Sequence, residues 1–176
     1  IIVKCDGTFD AVRIEECSVI SGKTFVNLKG TLLNLHHPSD LELHVFSDES
    51  SLDPSVCRTL LRGLSLPNLD FLGTVTTSLS FDGKPKKFRA IAETQSSLGT
   101  IEANTSISLE TKPMTYEGVV RVRQGAVGPI VGDTTMESDI NGHITFNGNG
   151  TDIRSMTAIV KVELDSSSVL QIPIEK

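Results

Sequence analysis

The sequence contains no Trp and a single Tyr, and its one basic cluster is Lys84, Lys86, Lys87 and Arg89. These supply neither a base-stacking platform nor a stripe able to track phosphates, which argues against a nucleic-acid partner. Cysteine is scarce as well. Cys5, Cys17 and Cys57 can form at most one bridge, so the chain is not a disulfide scaffold. No apolar run approaches the roughly 18 residues of a membrane-spanning helix, and the opening IIVKC lacks the Met, the basic region and the long apolar stretch of a signal peptide. Sixteen Lys and Arg against 22 Asp and Glu give a net charge of −6, too weak an imbalance to define a partner.

What remains is the composition of a folded chain. With 176 residues, 38% of them hydrophobic and 22% charged, it suits one domain or a fragment of similar size. It begins on apolar β-branched residues and ends on LQIPIEK after a strand-like run, so both ends read as cuts through a longer protein.

Strand signals dominate, in stretches rich in Val, Ile, Thr and Phe between Gly, Asn, Asp and Pro. In LSFDG, Leu79 and Phe81 share a side opposite Ser80 and Asp82. FRAIAET sets Phe88, Ala90 and Ala92 against Arg89, Ile91 and Glu93. The next runs place Ile101, Ala103, Thr105 and Ile107 together, then Tyr116, Val120 and Val122 against Glu117, Arg121 and Arg123, then Ala158, Val160 and Val162. One apolar face and one wet face is the mark of an antiparallel sheet. Shared phase predicts an inward set of Leu28, Leu43, Val45, Leu79, Phe81, Phe88, Ile101, Ile107, Val120, Ile144, Phe146, Ala158, Val160 and Val162.

A single segment reads as helix. SLDPSVCRTLLRGL (51–64) offers Asp53 as N-cap, Pro54 at the first helical position, an apolar stripe of Val56, Leu60 and Leu61, and Gly63 as the stop. VGPIVGD (127–133) could add a single turn, but its two glycines and Pro129 make it read as a loop. A punctuation recurs three times, in VNLKGTLLNL, LSFDGKPKKF and ITFNGNGTDI, where alternating apolar residues reach a Gly and another apolar residue follows five positions later. The glycines Gly30, Gly83 and Gly148 are 53 and 65 residues apart. This predicts about three strand-turn-strand units with turns near those glycines, none able to bury its apolar side alone.

Catalytic and metal-binding patterns are missing. SGKT (21–24) resembles the tail of a phosphate-binding loop, but Cys17 stands where that loop needs Gly, and FVNLKG reads as strand. His36, His37 and His44 have no recognised ligand spacing, so HHPSDLELH reads as a surface loop before a strand. NGNGTD (147–152) lacks the distal Glu of a calcium loop and reads as a turn. No nucleophile signature occurs, and the acids are scattered singly on polar sides, so the expectation is a protein without enzymatic activity, metal or cofactor. Asn104 and Asn149 match glycosylation acceptors, Asn104 in mid-strand.

Residues 72–174 resemble the AsmA-like proteins, most closely the TamB family as it occurs in Bacteroidetes-type bacteria. The resemblance is carried by LGTVTTSLSFDGKPKKF, by TQSSLGTIEANTSISL and by MTYEGVV. VGPIVGD is similar to that family's Leu-Gly-x-Leu-Leu-Gly-Asp element, with Val127 for Leu and Pro129 inserted. GNGTDIRSMTAIVKVELDSSSVLQIPI is similar to its Gly-x-Gly-x-Asp strand pair, with Leu170 and Ile172 where an aromatic is usual. Residues 19–71 fit more loosely, and residues 1–18 only as further strand.

The resemblance implies a periplasmic segment of a longer protein anchored in the inner membrane by a part outside this chain. It implies an all-β fold, an elongated curled antiparallel sheet forming a half-pipe with an apolar groove and one short helix. The groove would hold phospholipid acyl chains against the inward set above, and the full-length chain would meet an outer-membrane barrel protein. Two alternatives stay open: a strand-accepting scaffold for outer-membrane protein assembly, and a closed β-sandwich whose apolar face is simply its core.

Overall fold

The computed structural model describes residues 1–53, 73–133, 135–150 and 154–174. Twelve strands form one antiparallel sheet: β1 (Ile2–Thr8), β2 (Ala11–Ser21), β3 (Thr24–Leu33), β4 (Glu42–Leu52), β5 (Val75–Lys84), β6 (Lys87–Ser96), β7 (Gly99–Ser108), β8 (Thr115–Gly125), β9 (Ser138–Asn149), β10 (Thr157–Leu164), β11 (Ser167–Val169) and β12 (Ile172–Ile174). Each of the first nine lies beside its predecessor. β10 and β11 then follow one another along the far side of β9, and β12 returns on β11.

This order is set locally. Thr8 pairs Ala11, Ser21 pairs Thr24, Lys84 pairs Lys87, Ser96 pairs Gly99 and Val169 pairs Ile172, so five connections are two-residue hairpins. In the last, Leu170 and Gln171 both take positive φ, 51° and 62°, as a turn matched to strand twist demands. Below, the end of the sheet at the Pro85–Lys86 turn is its lower end.

The sheet curls but does not close. Among the described residues, β1 pairs only β2, and β10 pairs only β9. Register shifts interrupt four successive ladders, between Lys4 and Cys5, Ile14 and Cys17, Phe25 and Lys29, and Ser47 and Ser50, and a fifth lies between Val122 and Gly125. Each extra residue bends its strand and increases local twist, so a line of them across β1–β5 supplies curvature.

No second layer covers this sheet among the described residues, whose substantial element contacts all join sheet neighbours. Among the described residues, only Val75 and Leu98 are buried hydrophobic residues. The accessible surface is 11761 Å² for a chain of 19.0 kDa, where a compact globule would expose about 8400 Å². Solution scattering is expected to give a radius of gyration above the roughly 16 Å of a compact chain of this length. A value at or below that would mean that the sheet folds over and covers its own face.

The expected helix, with Asp53 as N-cap and Pro54 as its first residue, falls on residues 54–64, outside the described residues; Ser51 and Leu52 before it end β4 and pair Thr76 and Val75. The VGPIVGD loop contains a one-turn helix, α1 (Gly128–Val131), because Pro129 sits in its first turn, where proline is tolerated, and Gly132 takes φ 81° at its C-terminal end. In NGNGTD, Asn147, Gly148 and Asn149 are the end of β9, not a turn. The three punctuating glycines lie within the last few residues of β3, β5 and β9, and a connection follows each within four residues.

Candidate functional site: an uncovered apolar face

Cross-strand register decides which side chains share a face, since directly paired residues point the same way. Followed from strand to strand, one row reads Gly30, Val45, Phe81, Ala90, Thr105, Gly118, Phe146, Val160. The row below it reads Leu32, Leu43, Gly83, Phe88, Ile107, Tyr116, Gly148, Ala158. The row above runs from Ser47 through Leu79, Ala92, Ala103, Val120 and Ile144 to Val162. Ile101 lies one row further up, beside Val122, and Leu28 sits on the same side of β3 as Gly30. The structure therefore brings all fourteen residues of the inward set onto one face.

None of the fourteen is buried. Nine are half-buried, and Leu79, Ile101, Ala158, Val160 and Val162 are exposed, Val160 to 59%. The face also takes in Val12, Ile14, Cys17 and Val19 of β2, which the inward set omits. At its upper end it turns to hydroxyls: Thr24, Ser47, Ser50 and Thr77 are buried, with Ser47 Oγ 2.5 Å from Ser50 Oγ and Thr77 Oγ1 3.1 Å from Thr94 Oγ1.

Two aromatic crosses form its floor. Gly83 faces Phe88 while Phe81 faces Ala90, and the Phe81 and Phe88 rings stack 4.6 Å apart. Three strands further on, Tyr116 faces Gly148 and Gly118 faces Phe146, with ring centroids 6.3 Å apart. A Cβ on Gly118 would lie 2.7 Å from Phe146 Cζ, and one on Gly148 would lie 2.9 Å from Tyr116 Cζ. The rings thus lie across the glycines of the neighbouring strand, and the glycines are what lets the floor stay shallow.

The opposite face is wet and ionic. Lys4 Nζ lies 2.6 Å from Glu16 Oε2, Arg123 lies 2.7 Å from Glu102, and His143 lies 2.9 Å from Glu163. His44 Nδ1 is 2.6 Å from Asp82 Oδ2, and this hydrogen bond raises the imidazole pKa above its ordinary value. Hydrogen bonds from Lys4 and then Ser18 hold Glu16 below the usual carboxylate range. Such exposed pairs fix register and contribute little stability.

Groups of His, Cys, Asp or Glu able to hold a metal do not occur among the described residues. His36 stacks on His37 and lies 3.1 Å from Asp10, in the loop before β4. Asn104 sits mid-strand on the polar face, accepting from Arg89 Nε at 2.8 Å. Searches against family models, curated proteins and solved structures find no match to the chain.

Proposed function

We propose that this chain is a segment of a lipid-conducting groove of the AsmA-like, TamB type, placed in the periplasm and serving phospholipid transport to the outer membrane and its biogenesis. The observation that carries the reading is the uncovered face: fourteen apolar side chains in register across β3–β10, none of them buried. Acyl chains need such a surface, and head groups can stay in water beyond it. Burying a 16-carbon chain gains on the order of 12 kcal/mol at about 0.8 per CH₂, and leaving a bilayer costs a similar amount, so lipid crosses without a deep trap. No step calls for a catalytic residue, cofactor or metal.

A photo-crosslinking amino acid at Phe81 or Val160 is expected to capture phospholipid, while one at Arg89 or Lys161, on the opposite face, is not. Equal capture from both faces would remove the assignment.

The free edges of β1 and β10 support a second reading, a scaffold that accepts strands during outer-membrane protein assembly. Both edges present unpaired backbone groups, and Ile2, Val3, Ile159 and Val160 are exposed there. Crosslinks from β1 or β10 to a nascent barrel protein, with none to lipid from Phe81, would favour it.

A further inference from the structure

The polar face carries a feature that does not depend on the lipid reading, because it lies on the other side of the sheet. Near the lower end this face sinks into a hollow of about 820 Å³, within the roughly 300–1000 Å³ usual for small-ligand sites. Strand β7 contributes Ser106 and Ser108, whose short side chains keep the middle low. On one side stand Lys87 and Arg89 of β6, with Asp82 of β5 beside Arg89, its carboxylate engaged by His44 Nδ1 at 2.6 Å. On the other stands Glu117 of β8, and Glu110 lines the lower end just beyond β7, where the Leu109 amide donates to the Lys86 carbonyl.

Arg89 pairs Ser106, and Ser106 pairs Glu117, so the cationic and acidic walls are two strand spacings apart, roughly 10 Å between backbones. Elsewhere on this face opposite charges are joined, as in Lys29 with Asp48 and Arg123 with Glu102. The side chains of Lys87, Glu110 and Glu117 make no ion pair or hydrogen bond among the described residues, and the Arg89 side chain commits only Nε, to Asn104.

We propose that this hollow binds a small zwitterion, its anionic oxyacid group against Lys87 and Arg89 and its primary ammonium against Glu117. A ligand of one sign would compensate one wall and be repelled by the other. A zwitterion compensates both, and neutral oxygens between its charges lie over the hydroxyls of Ser106 and Ser108. The hollow also reaches Ile159 on the free edge strand β10, 66% exposed, so the ligand can be free in solution or can be the head group of an aminophospholipid whose tails lie beyond that edge.

Phosphoethanolamine is the probe, titrated into the isotope-labelled chain at low and high salt. Expected are amide shifts confined to residues around Ser106, Glu117 and Asn147, weakening with salt as water-exposed charge pairs do. Lys87→Gln and Glu117→Gln should each weaken binding by roughly fivefold with unchanged spectra elsewhere, the scale of one exposed ion pair. Phosphocholine, whose quaternary ammonium cannot donate to Glu117, should bind less tightly. Sedimentation with phosphatidylethanolamine vesicles, competed by the soluble probe, identifies the head group as the source, and binding of the soluble probe alone identifies a free ligand. No shifts, shifts spread over both faces, or affinity indifferent to both variants would overturn the proposal. Loss of lipid capture at Phe81 would leave it intact, since that result concerns the other face.

Discussion

Gly30→Ala is expected to lower stability by about 3–4 kcal/mol, a large share of the 5–15 kcal/mol that ordinary domains possess. Gly30 lies inside β3 at φ 148°, where a Cβ would sit 2.0 Å from the carbonyl oxygen of His44 and 2.8 Å from Val45 Cα. Both are backbone atoms of β4, so no side chain can rotate aside. Strands β3 and β4 would have to separate at the Gly30–Val45 pair, breaking a ladder in the interior of the sheet. Gly22→Ala is the control. Gly22 also has positive φ, 59°, but nothing lies within 4 Å of its added Cβ. It should cost only the left-handed penalty, about 1 kcal/mol. Urea unfolding of the two variants measures the difference. Equal midpoints would mean that conformation alone, and not the approach of β4, requires glycine at position 30.

That close approach explains what the recurring glycines signify. Alternation around Gly30, Gly83 and Gly148 was legible, and so was the change of backbone behaviour at each. A turn was the natural reading because glycine is the usual residue for one. A connection does follow Gly83 and Gly148 closely, but both also serve a second purpose: each opposes an aromatic residue on a neighbouring strand, Phe88 or Tyr116. Which residue faces which across two strands depends on the lengths of the connections, and a sequence of one strand does not contain that.

The faces of β5–β10 were legible because those strands keep a strict period of two. In β2 the period fails. Val12 and Ile14 share a face with Cys17 and Val19 only because the ladder shifts between Ile14 and Cys17. Strict alternation would place Ile14 and Cys17 on opposite sides, so β2 yielded no member of the inward set. β4 repeats the case, with Ser47 and Ser50 on one face across a shift. Bulges were hidden for a physical reason: the extra residue is taken up by a local bend of its own strand, and its side chain carries no special chemistry. The same bulges give the sheet its curvature, so a groove could be expected from the pattern of residues while its shape could not.

Phe146→Arg is expected to leave the chain folded and abolish lipid capture. In a closed core an arginine at this position would be an unpaired buried cation and would cost several kcal/mol, enough to unfold a domain of ordinary stability. Phe146 is only half-buried, on a face without a covering layer among the described residues, beside Val160 on the free edge strand. The guanidinium can therefore reach water, and the cost falls to roughly 1–2 kcal/mol, the part of the phenyl transfer free energy that the half-exposed ring now gains. The effect on lipid is larger. Phe146 lies in the row that runs from Gly30 to Val160, so a charge there interrupts the apolar path across its whole width between Ile144 and Gly148. An acyl chain passing it would have to strip or skirt a hydrated cation, which removes the near balance with the bilayer on which conduction depends. Circular dichroism and lipid capture by a crosslinker at Phe81 separate the outcomes. An unfolded variant would show that the face is covered in solution, and a folded variant with undiminished lipid capture would remove lipid conduction as the role of this face.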